Sequence, residues 1–313
     1  MKYISVILFL STFISCSLER NVEIDLPPYE NELVVESYLE PDKPILLSLS
    51  ESISYFELPG IDPVDLNRDI IINIGGFEIE TTMQGLIDQG FITAEDIPGL
   101  PPTYNEAVVT VTHKGVVDTL ENILYLVLDP RNDANNPYFK YYNFISRTPV
   151  IVDYDDPFYL SVIDLGQSRA VTGEATFLPP VAIDSTRLRF NTDNMASFET
   201  WLTDPPQEGD FYRVVMNRNS LYRRPFQTFA FNDDILTGAV VLGTGYDFES
   251  NDTIISTIFK IDEGYHDFYE TFEDAVNANG NPFAQPTRIS STVLGGIGIF
   301  TALTHDRDTV VVP

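Results

Sequence analysis

The chain has 313 residues, 43% of them hydrophobic, enough to bury a substantial core, so wholesale disorder is excluded. Its 47 acids outnumber 18 scattered Lys and Arg, for a formal charge of −29, and without a basic surface it is not expected to bind nucleic acid. One cysteine excludes an internal disulfide framework and a cysteine-built zinc site, and three histidines far apart in sequence leave little for imidazole chemistry.

The chain opens on a targeting signal. Lys2 supplies a positive charge, residues 4–13 are an apolar run, and Phe13-Ile14-Ser15-Cys16 closes it. Crossing a bilayer takes about 20 apolar residues, so the run fits a secretory signal peptide over residues 1–15. A small residue directly before the sole cysteine resembles the lipobox of bacterial lipoproteins, although Phe13 stands where Leu is usual. Cys16 is therefore the expected lipidation site. Residues 16–32, with Pro27-Pro28 and five acids, read as a lipid-anchored tether. Ser17 follows the cysteine in place of the Asp that retains many lipoproteins at the inner membrane, which favours the outer membrane.

Strand signals dominate the body. Residues 33–39, 45–49, 70–74, 107–112, 123–128, 159–163 and 211–216 are short β-branched or aromatic runs bounded by Pro, Gly, Asn and Asp. Their spacing predicts a mainly β fold: an immunoglobulin-like β-sandwich over residues 33–180, then a second β-rich module over 181–313. The boundary is placed at Leu178-Pro179-Pro180. Residues 82–104, punctuated by Gly85, Gly90 and Gly99, read as an inserted loop. Residues 196–202, with the only tryptophan, read as two helical turns. Tyr265, Phe268, Tyr269, Phe272 and Val276 recur at helical spacing and predict an amphipathic helix over 262–278, with Asp262 as N-cap. That register places His266 on a solvated edge.

Reactive motifs are scarce. Gly243-Thr244-Gly245 lacks the third glycine of a dinucleotide fingerprint, and Gly295-Gly296-Ile297-Gly298 lacks the lysine and hydroxyl of a phosphate loop. Both read as close backbone contacts, and no cofactor is expected. Neither a nucleophile elbow nor a paired-histidine zinc motif occurs. Carboxylates are the one abundant reactive group. Asp153, Asp155 and Asp156 cluster in one turn as a candidate Ca²⁺ site, though without the twelve-residue calcium loop; Asp129 with Asp133, and Asp233 with Asp234, form smaller clusters. Aspartates in turns also serve as local caps. A glycosidase pair would need two acids about 5–10 Å apart across a cleft, and nothing selects such a pair from 47. Aromatic residues concentrate in the stretch from Tyr138 through Tyr141 and Tyr142 to Phe144, a candidate binding surface beside insertion 82–104.

Four stretches together resemble the Bacteroidota-type lipoprotein family known as domain of unknown function 4249. They are Cys16 with Asp25-Leu26-Pro27 and residues 33–39; Thr172-Gly173-Glu174-Ala175-Thr176 with residues 180–185; Leu202-Thr203-Asp204-Pro205 with residues 209–213 and 232–234; and residues 281–286 with 295–300. The insertion at 82–104 departs from the family pattern. The resemblance implies an outer-membrane lipoprotein with β-rich domains, often encoded near TonB-dependent transporters, and it brings no catalytic residues. The expected function is non-catalytic: a binding or accessory subunit held at the outer membrane by its lipid, beside such a transporter. The alternative is a surface hydrolase acting through paired carboxylates.

Overall fold

In β1 (Leu33–Leu39) every second side chain is buried, and β2 (Pro44–Glu51) repeats that alternation antiparallel to it, with Val35 opposite Leu49. Period two is the strand repeat, and it governs most of the chain. The computed structural model describes residues 30–52, 67–89, 104, 106–128, 139–203, 209–233, 238–278 and 287–313, and Asn31–Pro313 forms one unit. The expected leader, Cys16 and most of the tether lie outside the described residues.

The first sheet runs β19 (Ile297–Ala302), β1, β2, β9 (Phe144–Pro149). The second runs β18 (Val293–Leu294), β11 (Arg169–Ala175), β10 (Phe158–Asp164), β5 (Ala107–His113), β6 (Val116–Thr119). Their inner faces share one core in which Leu33, Val35, Leu47 and Leu49 meet Val109, Leu160, Val162 and Val171. Each such side chain contributes about 1.5–3 kcal/mol of hydrophobic burial.

A third sheet, β4 (Phe77–Thr82), β3 (Asp69–Ile74), β7 (Leu124–Leu128), β8 (Phe139–Tyr142), packs Ile71 and Tyr125 against Ile145 of the first. Its other face is covered by a one-turn helix, α1 (Met83–Asp88), through Met83 and Leu86. The start of the expected insertion is therefore helical. Thr82 caps it, its Oγ1 accepting the Gly85 N–H at 3.1 Å, and spacing of three between Met83 and Leu86 turns both inward. Residues 90–103 lie outside the described residues.

The remaining sheets form a second sandwich. One is β12 (Ile183–Phe190), β13 (Ala196–Thr203), β16 (Ala239–Gly243); the other is β15 (Gln227–Asn232), β14 (Phe211–Arg218), β17 (Thr253–Ile261), β20 (Thr304–Val311). Between them lie Phe198, Leu202, Tyr212, Val214, Met216, Val240, Ile254 and Ile258. β13 corrects the helical expectation for residues 196–202. Ala196, Phe198, Thr200 and Leu202 are buried on one face while Glu199 and Trp201 turn to the other, a period of two.

The two halves exchange chain. After β11 the polypeptide crosses at Pro179-Pro180 into the second sandwich, but β18 and β19 return to the first, where β18 pairs with β11 and β19 runs parallel to β1. Helix α2 (Glu263–Ala278) precedes that return and contacts β14, β15 and β19. Asp262 caps it as expected, its Oδ1 accepting the Tyr265 N–H at 2.7 Å. Tyr265 is buried with Ile261, Ile299 and Leu303, and Phe268 and Tyr269 are partly covered. The expected stripe ends there: Phe272 and Val276 are 43% and 53% exposed, because the helix meets the sheets chiefly through its first two turns. His266 is a correction too. It is buried, not solvated, packed against the Phe211 ring at 4.9 Å.

Candidate functional site: a groove at the open edge of the second sandwich

Among the described residues β15 has a neighbour, β14, on one side only, and β16 likewise pairs only with β13. The chain passes from the edge of one sheet to the edge of the other, and a groove of about 630 Å³ follows these two strands. Residues 229–232 and 239–242 line it. Consecutive strand residues point to opposite faces, so a groove touching all of them runs along the strand edge. Its walls differ. Phe229, Phe231, Val240 and Leu242 belong to the inter-sheet cores, whereas Ala230 packs toward α2, from which His266 and Glu270 reach the groove. His266 Nε2 stands 3.5 Å from Glu270 Oε1. Its Nδ1 is buried without a hydrogen bond, the nearest carboxylate oxygen being Asp267 Oδ1 at 3.6 Å.

Beneath this wall lies an aromatic cage around a buried cation. Arg213 on β14 sits over Tyr269 at 5.1 Å and over Tyr265 at 5.6 Å, and its guanidinium donates to the Tyr265 hydroxyl. Burial pushes the Tyr265 phenol up to about 12, with Arg213 opposing the rise. A guanidinium on π faces keeps its charge at lower desolvation cost, and it pins α2 to β14. His266 and Glu270 belong to the part of α2 held by these contacts.

The sequence-predicted sites have other uses. Cys16 and Tyr138 lie outside the described residues. Phe144 is in the core of the first sandwich, and Tyr141 and Tyr142 are partly covered by neighbouring cores. Asn143 between them is fully buried, its side-chain amide bonding the Leu49 N–H at 2.8 Å and C=O at 2.7 Å. The aromatic stretch thus cements β9 to β2.

Asp153, Asp155 and Asp156 do form one turn. Asp153 Oδ1 accepts the N–H groups of Asp155 and Asp156 at 3.0 and 3.2 Å, while Oδ2 contacts the Lys114 ammonium and lies 3.2 Å from His113 Nε2. The ammonium, followed by the two backbone donors, holds the Asp153 carboxyl well below the usual carboxylate range. Lys114 stands where the candidate cation would. Lys114 and Gly115 both have positive φ, 49° and 76°, and make the tight β5–β6 turn that delivers it. Among the described residues no group of three His, Cys, Asp or Glu is arranged to hold a metal.

Other acids are similarly engaged. Asp164 and Glu51 share Arg169, Asp210 meets Lys260 at 2.7 Å, and Asp233 accepts the Gly209 and Asp210 N–H groups at 2.8 and 3.0 Å. Asp129, Asp133 and Asp234 lie outside the described residues.

Comparison with known proteins gives one family. A model described as "Domain of unknown function (DUF4249)" matches residues 19–309. No curated protein matches the chain. Among solved structures, a chain titled "Cytokine receptor complex - Crystal form 1A" aligns over 89% of this chain and 96% of its own, at 8% identity and a TM-score of 0.23, too low to define a shared fold.

Proposed function

The chain belongs to the DUF4249 family, and on that premise we propose that it is a non-catalytic, lipid-anchored outer-membrane protein that binds a partner as an accessory subunit, beside a TonB-dependent transporter. The observation that carries the reading is the groove of about 630 Å³ along β15 and β16: a mixed apolar and polar surface on two strand edges, backed by a helix held to β14 through Arg213 and Tyr265. Such a surface suits recognition better than chemistry, which needs converging reactive groups and exclusion of water. Asp164, Asp210 and Asp233 are matched to cations or backbone amides, which leaves them poorly placed as a general acid–base pair. A lipid on Cys16 confines the body to a membrane, where partners meet at high effective concentration and modest affinity suffices.

The test is purification of the native lipoprotein from membranes in mild detergent. Co-elution with an outer-membrane transporter supports the reading. A protein that elutes alone, or that cleaves members of a glycan panel until one particular acid is replaced, replaces it with the hydrolase.

A further inference from the structure

The geometry points to the groove as a strand-addition site for an extended polypeptide segment in which basic and apolar residues alternate. This rests on the binding reading above and names the chemistry of what is bound.

The backbone supplies the first argument. In an antiparallel ladder, residues alternate between aiming both backbone groups at the partner strand and turning both away. The Asp233 N–H donates to the Asp210 carbonyl at 3.0 Å, one step beyond the Phe211–Asn232 pair. That fixes the phase: Phe231 and Phe229 bond to β14, and Ala230 and Thr228 turn their N–H and C=O groups toward the groove. A strand edge of this kind is a template for another strand, with main-chain bonds giving affinity and alternate side-chain pockets giving specificity.

The walls supply the second. A strand added about 4.8 Å from β15 would send successive side chains to opposite sides. One row would face α2, where Glu270 presents a carboxylate and His266 a buried imidazole; the other would face Val240 and Leu242 of β16. The first row therefore favours Lys or Arg and the second aliphatic residues. His266 adds an independent sign. It is 7% exposed, lines the groove, and its Nδ1 has no hydrogen bond, which is uncommon for a buried nitrogen. The formal charge of −29 also favours a basic segment on encounter. β15 is six residues long, about 20 Å of strand, which sets the length of the segment.

The experiment titrates the full chain, purified in detergent, with the peptide Lys-Val-Lys-Val-Lys-Val, with Lys-Lys-Lys-Val-Val-Val of equal composition, and with Glu-Val-Glu-Val-Glu-Val. The alternating basic peptide should bind at least about tenfold more tightly than either control, about 1.4 kcal/mol. Glu270→Gln should weaken it about threefold, as expected for a partly exposed ion pair. Ala230→Pro removes a groove-facing N–H and leaves the bonds to β14 intact, so it should weaken binding at least about tenfold with the fold retained by circular dichroism. A readout that needs no variant is amide exchange: with peptide bound, Thr228 and Ala230 should slow while Phe229 and Phe231, already bonded to β14, should not change. Equal affinity for the block peptide, or unchanged exchange at Thr228 and Ala230, overturns the inference. Because no transporter is present, the outcomes separate: a chain that binds peptide yet elutes alone from membranes keeps strand addition and loses the accessory role, and the converse result does the reverse.

Discussion

Gly298 lies opposite Val35 where β19 meets β1, so close that any side chain at 298 would collide with the Val35 carbonyl oxygen. Its φ is 128°, and Gly295, at φ 83°, is pressed in the same way against the carbonyl of Ala170. The Gly295-Gly296-Ile297-Gly298 stretch is the point where the returning chain leaves the second sheet and joins the first. It locks the C-terminal half into the N-terminal sandwich. Gly298→Ala should therefore cost at least about 3 kcal/mol, combining unfavourable φ with a backbone clash. Gly115→Ala is the control: its φ is also positive, 76°, but nothing stands within 4 Å, and about 1 kcal/mol is expected. Urea midpoints measure both, and equal losses would show that the close approach carries no weight.

The helix stripe predicts unequal costs for its rings. Tyr265 is 1% exposed and Phe272 43%. Tyr265→Ala should lose about 3–5 kcal/mol, and Phe272→Ala about 1 kcal/mol. Thermal melts of the two variants decide it, and a larger shift for Phe272→Ala would contradict the packing described for α2.

Lys114 and Asp153 make stability depend on pH in a defined direction. The carboxyl is depressed in the folded state, so its contribution is complete above the unfolded value of about 3.9 and is lost as pH falls toward the lower folded value. Wild type should exceed Lys114→Met in melting temperature at pH 6, and the gap should begin to close below about pH 4. A gap independent of pH would show that the ammonium acts only by packing. Millimolar Ca²⁺ should leave the wild-type melt unchanged, since Lys114 already fills the turn.

Cys16 is expected to carry the lipid, on the strength of Ile14-Ser15-Cys16 at the end of an apolar run. A fatty-acid probe should label wild type and miss Cys16→Ala. Equal labelling of both rules out the anchor.

Much of this architecture was legible in local pattern. The alternation of Leu33 through Leu39 and the cap at Asp262 are short-range signals, and each appears where expected. Residues 196–202 invite a helical reading because Ala, Glu and Leu favour helices, whereas Ala196, Phe198, Thr200 and Leu202 already follow a strand period. A single apolar stripe does not place His266, because α2 packs on one side through Tyr265 and on a neighbouring side against Phe211. The Lys114–Asp153 pair spans 39 positions, and the hairpin that joins it depends on left-handed backbone at Lys114. The groove had no sequence signal at all. It arises from sheet order, which among the described residues leaves β15 and β16 as edges, and from a helix that begins 20 residues after the end of β16.

Recognition of a partner through that groove, with the body held at the outer membrane, is the proposal that a crosslinking measurement tests most directly. Val241, 44% exposed on β16 at the groove, and Ile151, 76% exposed and outside it, provide matched sites for a photo-crosslinking residue in living cells. The Val241 position should capture an outer-membrane polypeptide, and Glu270→Gln together with Ala230→Pro should abolish capture. Capture from Ile151 alone, or capture at Val241 that survives both substitutions, would contradict it.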